Sequence, residues 1–172
     1  KYIPHSLNIF TRNLSSEHNV LRQSSTYGIA QCLRTAPELC TDAIDVLVPL
    51  LAQIATAEDA REEDNEGITE NALFALGMIC TNTMLRRPAY AGGAVPLDQV
   101  TMLWLRALPL RADEQEAKTA SRQLCDALEV GSVNATADTL AEVLRVFAEV
   151  FVASQEPVNN EESYALAHPV TL

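Results

Sequence analysis

Apolar side chains recur along this chain at helical spacing. Ile3, Leu7, Phe10 and Leu14 stand four, three and four residues apart, which places them on one face of a helix. A second segment, about residues 19–35, aligns Leu21, Ser25, Gly28 and Cys32, and Pro37 then forces a break or a new first turn. The third carries Leu39, Ala43, Leu47, Leu50 and Ile54, and the fourth Ile68, Ala72, Leu76 and Ile79. After Pro96 come Leu97, Val100, Trp104 and Leu108. Asp113 can cap the next helix, with Glu116 completing a capping box, ahead of Ala117, Ala120, Leu124 and Leu128. A seventh segment shows Leu140, Leu144, Phe147 and Phe151. Seven helices are expected, with a short eighth around 161–167.

The links between these segments set how they pack. Residues 13–18 make a tight link, whereas 57–66 (AEDAREEDNE) and 87–95 (RPAYAGGAV) read as longer loops, polar or bearing Gly and Pro. Helices therefore come as antiparallel pairs, and the pairs repeat. Tyr27, Phe74 and Ser121 hold the same relative place in successive second helices, an offset of 47 residues each time. Two helices per ~40–47 residues is the signature of a HEAT or armadillo solenoid, in which each pair needs its neighbour to cover what it cannot bury alone. The fold class expected is all-α, a right-handed HEAT-repeat α-α superhelix of three to four helix pairs. The repeats are expected over residues 1–153, as pairs near 2–35, 38–84, 96–130 and 138–153 onward, followed by a linker and short terminal helix or tail over 154–172. Pro49 falls inside the third helix, where it removes one amide donor and crowds the Asp45 carbonyl, so a kink is expected there.

Composition agrees with helices packed on helices. Ala and Leu supply 24 and 22 of the 172 residues and aromatics only 5%. The balance of 12 basic against 23 acidic side chains gives a net charge of −11, which disfavours phosphate backbones and anionic lipid and favours basic protein partners. Neither direct nucleic-acid binding nor membrane association is expected. Cys32, Cys40, Cys80 and Cys125 lie far apart with no C-x-x-C, so free thiols in a reducing compartment are expected and no metal or other cofactor. His5, His18 and His168 have no nucleophile at a motif spacing, and no G-x-S-x-G, H-E-x-x-H or Gly-rich phosphate loop occurs, so no enzyme and no catalytic residue is expected. Lys1 in place of a methionine suggests an excerpt from a longer protein.

VLVPLL and Val20-Leu21-Arg22 resemble the two halves of a HEAT unit, although the Asp often found before that Arg is missing and a strong Asp/Arg ladder is not expected. Three ordered blocks are more specific. Leu21-Arg22-Gln23 with Tyr27-Gly28, then Asn65 with Thr69-Glu70-Asn71-Ala72, Ala75 and Gly77, then Trp104-Leu105 with Leu108-Pro109-Leu110, Asp113-Glu114, Glu116-Ala117 and Leu124-Cys125-Asp126, resemble the carboxy-terminal HEAT repeats of importin-β-type karyopherins. The series is most similar to the subgroup that imports ribosomal proteins and histones. The resemblance implies a nuclear import receptor moving between cytoplasm and nucleus through the nuclear pore. It implies second helices turned to cargo and the GTPase Ran on a concave surface, and first helices turned to phenylalanine-glycine repeats of nucleoporins on a convex one. Ran would be held mainly by repeats outside this chain. The competing class is a HEAT-repeat scaffold or adaptor with no transport role.

Under this reading the candidates for basic cargo are Glu62, Glu63, Asp64 and Glu66 in the acidic run, Glu70 and Asn71 beside it, and Gln23 and Glu116 at equivalent places in the repeats before and after. A solvated loop tip and helix-end electrostatics are the simpler explanations for the acidic residues. Trp104 and Phe147 are the candidates for nucleoporin repeats, against the simpler reading of Trp104 as core.

Overall fold

The structure, a computed structural model, describes residues 2–86 and 96–155. The expected 87–95 loop, the eighth helix and nearly all of the tail lie outside the described residues. Within them the chain is all-α: α1 (Ile3–Asn13), α2 (Asn19–Thr35), α3 (Ile44–Ala55), α4 (Glu63–Thr81), α5 (Leu97–Ala107), α6 (Glu114–Glu129) and α7 (Ala137–Gln155). No helix among the described residues is long and apolar enough to cross a membrane.

Helix α1 packs on α2 and α3 on α4, as consecutive antiparallel partners do, and the second helices form a layer of their own in which α4 lies between α2 and α6. In the other layer α5 abuts α7, and α4 also packs on α5. The result is a HEAT-like solenoid. Second helices begin at residues 19, 63 and 114, intervals of 44 and 51, so the 47-residue offset holds as an average and not position by position. The difference shows in burial, since Phe74 is inside whereas Tyr27 is half exposed.

Three boundaries and faces depart from the pattern read along the chain. Residues 37–43 form two 3-10 turns, Pro37–Leu39 and Thr41–Ala43, instead of the start of α3. Each closes by an i to i+3 bond, from the Cys40 amide to the Pro37 carbonyl and from the Ala43 amide to the Cys40 carbonyl, while the buried Cys40 thiol donates to the Ala36 carbonyl at 3.3 Å and pins the corner. Leu39 is left exposed there. Helix α3 runs through Pro49 as one helix. Helix α4 begins at Glu63, so half of the acidic run is helical, and Glu63, Asp64 and Glu66 oppose the positive end of the helix dipole.

The third departure concerns α7. Its buried residues are Thr139, Val143 and Val146, and the expected stripe of Leu140, Leu144, Phe147 and Phe151 is exposed. The helix is apolar on more than one side, and α5 covers the valine side. Arg145 fastens that contact at the end of α5: its guanidinium donates to the Leu105 carbonyl at 2.9 Å, which also accepts from the Leu108 amide, and to the Leu108 carbonyl at 3.0 Å.

Two glycines allow the close approach of neighbouring helices. A Cβ on Gly28 would meet the Phe10 ring of α1 at 2.6 Å, and one on Gly77 would lie 2.7 Å from Trp104 Cε2 on α5. Trp104 is fully buried on that glycine, its indole N–H without a hydrogen-bond partner among the described residues.

Candidate functional site

The residues singled out for cargo fall into two groups in space. Glu62 is the N-cap residue of α4, and Glu63 and Asp64 are exposed in its first turn with Glu66 half-buried beside them. The first turn of α2 lies against them, with the Asn19 side-chain amide donating to the Asp64 carbonyl at 3.3 Å. The inter-repeat ladder here uses neutral acceptors in place of aspartate. Arg22 donates to Asn19 Oδ1 and to Asn65 Oδ1, both at 2.8 Å, and Asn65 in turn donates to Asp59 Oδ2 at 3.0 Å.

Gln23, Glu70, Asn71 and Glu116 come together. One from α2, two from α4 and one from α6, they line a cavity of about 400 Å³ along with Ser24, Tyr27, Gly67, Ala112 and Asp113. The second-helix layer produces this convergence: early turns of three neighbouring helices open on the same side. Gly67 keeps the space free, because a Cβ there would come within 2.7 Å of Gln23 Nε2.

Each member has a different degree of commitment to the fold. Glu70 is only 2% exposed. The Arg111 amide donates to both of its carboxylate oxygens at 2.8 Å, the Ala112 amide donates to Oε2 at 2.6 Å, and Arg61 Nη1 lies 3.5 Å from Oε1. Charge-assisted bonds of this kind to backbone donors are the stronger class. Glu70 therefore holds the turn between α5 and α6 against α4. Asn71 is 7% exposed, yet its side-chain amide makes no hydrogen bond among the described residues. Glu116 is half-buried. Asp113 caps α6 by accepting from the Gln115 and Glu116 amides at 2.8 Å, but the Glu116 carboxylate does not return a bond, so the capping box closes on one side only. Burial pushes the Glu116 carboxyl up from its ordinary pKa, and the nearby Asp113 and Glu70 carboxylates push it further, against a weak opposing pull from Arg34. Tyr27, Asp113 and Gly67 are lining residues beyond the sequence candidates; Tyr27 carries a signal in its repeat with Phe74 and Asp113 in its capping position, whereas Gly67 carries none.

On the first-helix side Trp104 lies wholly inside the core and Phe147 is 42% exposed on the open face of α7. An apolar slot of about 240 Å³ lies elsewhere, between the end of α1 and α3, lined by Leu14, Leu50, Ile54, Ala57 and Ile68 with Arg22 and Asn65 at its edge.

Three of the cysteines, Cys32, Cys40 and Cys80, are buried and Cys125 is exposed; all four are free. Burial raises the thiol of Cys80 to about 12 and that of Cys40 to about 11, so neither is a nucleophile near neutral pH.

Among curated proteins the chain is similar to Importin subunit beta-3 of Saccharomyces cerevisiae (strain ATCC 204508 / S288c), at 29% identity over 107 residues. The similarity supports an importin-β-like HEAT relationship. The match covers 62% of this chain and 9% of that protein, so the chain spans about a tenth of the relative's length. No family model matches, and no solved structure does. The subgroup suggested by the sequence blocks is not distinguished by this similarity.

Proposed function

We propose that this chain is a stretch of a nuclear import receptor that holds basic protein cargo on its second-helix layer and shuttles between cytoplasm and nucleus under the control of Ran-GTP. The observation that carries this reading is the coincidence of the importin similarity with a cavity in that layer built from Gln23, Asn71, Glu116 and the committed Glu70. The acidic first turn of α4, with Glu62, Glu63, Asp64 and Glu66, adds long-range attraction for a lysine-rich partner, which raises the encounter rate more than the affinity. Ribosomal proteins and histones are the cargo class the sequence blocks favour. Nucleoporin phenylalanine rings would seat in the slot of Leu14, Leu50 and Ile54 between neighbouring first helices, or on Phe147, since Trp104 lends no surface. In this reading the repeats would span residues 1–153, in pairs near 2–35, 38–84 and 96–130 with a fourth beginning at 138.

A titration of the chain with a core histone, followed by fluorescence anisotropy at two salt concentrations, tests the reading. Binding that weakens steeply as salt rises supports it, because exposed charges are screened over about 8 Å at physiological ionic strength. Equal affinity for an acidic protein of the same size would sink it. Loss of cargo from the parent receptor on adding Ran-GTP separates transport from a scaffold, which would ignore Ran.

A further inference from the structure

We propose that the cavity between α2, α4 and α6 seats a single cationic side chain of an extended partner segment, its charge against Glu116 and its donors met by the Asn71 amide. This rests on the cargo reading above and gives it a specific contact point. Three carboxylates, Glu70, Asp113 and Glu116, line the cavity, and among the described residues only Glu70 has a cation paired with it. Arg61 lies against Glu70, the Arg111 guanidinium turns to Glu149 at 3.2 Å, Lys118 pairs with Glu114 at 2.5 Å, and Arg34 donates to Gln31 at 2.6 Å. Glu116 is left half-buried with no hydrogen bond and no ion pair among the described residues.

Asn71 supplies an observation independent of charge. Asn71 is 7% exposed, and its side-chain amide makes no hydrogen bond among the described residues. That amide is not sealed off from solvent but lines the cavity, so its donor and acceptor are open to a ligand there. The half-exposed Tyr27 ring forms a further wall, suited to the methylene stem of a lysine or the plane of a guanidinium. A volume of about 400 Å³ admits one such side chain with its water. Ammonium and guanidinium share the chemistry required, and the test presents each in turn.

The experiment is an NMR titration of the 172-residue chain with a blocked heptapeptide, Gly-Ser-Gly-Lys-Gly-Ser-Gly, its arginine counterpart, and its Nε-acetyl-lysine counterpart. The side-chain amide signal of Asn71 and the carboxyl carbon of Glu116 should move with the lysine or the arginine peptide and stay still with the acetylated one. Glu116→Gln should weaken binding about fivefold, the range of a partly exposed ion pair, whereas Glu129→Gln, the same charge change on an exposed end of α6, should leave it within about twofold. No movement of either signal at millimolar peptide, or equal weakening by both variants, overturns the proposal. If a core histone binds the Glu116→Gln chain as tightly as the unaltered one, the pocket fails and the cargo reading survives. If no basic protein binds at all, the cargo reading fails and the peptide titration alone decides the pocket.

Discussion

Helices α4 and α7 have the same length, 19 residues, and opposite fates. Helix α4 buries twelve of its residues, including Glu70 and Asn71, whereas α7 buries three. Both are rich in apolar residues on more than one side. The difference is the number of neighbours: α2, α3, α5 and α6 all pack on α4, while α5 is the main partner of α7 among the described residues. In a layered solenoid, burial is assigned by what lies on each side of a helix, and only secondarily by its own pattern.

Substitutions at matched leucines should break this comparison most clearly. Leu76→Ala, at a fully buried site on α4, should cost about 3 kcal/mol in urea-unfolding free energy, in the range of large-to-small core changes. Leu144→Ala on the open face of α7 should stay within about 0.5 kcal/mol; a loss as large as that at Leu76 would show that another surface covers the stripe in solution. Next in size, Glu70→Gln should cost about 2 kcal/mol, because an amide nitrogen then faces the Arg111 and Ala112 donors. Hydrogen exchange of those two amides should accelerate with it, and unchanged exchange would mean that the carboxylate does not hold the turn. Gly77→Ala should cost about 1–3 kcal/mol by overpacking against Trp104, and should shift the tryptophan emission.

The smallest effect expected is pH-dependent. Because the Glu116 carboxyl titrates above its unfolded value, the native state binds more protons than the unfolded one between those two pKa values, and stability falls as pH rises through that window. Glu116→Gln removes this loss. The variant should therefore melt slightly above the parent at neutral pH and converge with it on acidification below the ordinary glutamate range. A gap that widens on acidification would mean the carboxylate is stabilised by a partner when charged.

The seven helices were legible because a period of 3.6 repeated over ten or more residues is a strong signal, and the paired layering followed from link lengths and the ~47-residue recurrence. Boundaries were harder to read. At 37–43 the backbone closes i to i+3 bonds that apolar spacing does not report, and at 63–66 carboxylates that look like loop residues extend the helix start. For α7 two apolar stripes compete, and only the position of α5 decides between them. Side chains at the site were read by type and repeat place, which brought Gln23, Asn71 and Glu116 together. The burial of Glu70 was invisible, because its donors lie 41 and 42 residues further along.

That long-range bond has a mechanical corollary. A carboxylate on one layer gripping the hairpin bend of the next acts as a staple on one edge of a coiled spring, and Arg22 with Asn65 makes a similar fastening one coil earlier. A spring stapled along one margin yields by splaying at the other, so when this stretch flexes the first helices should separate while the rim formed by the second helices keeps its spacing.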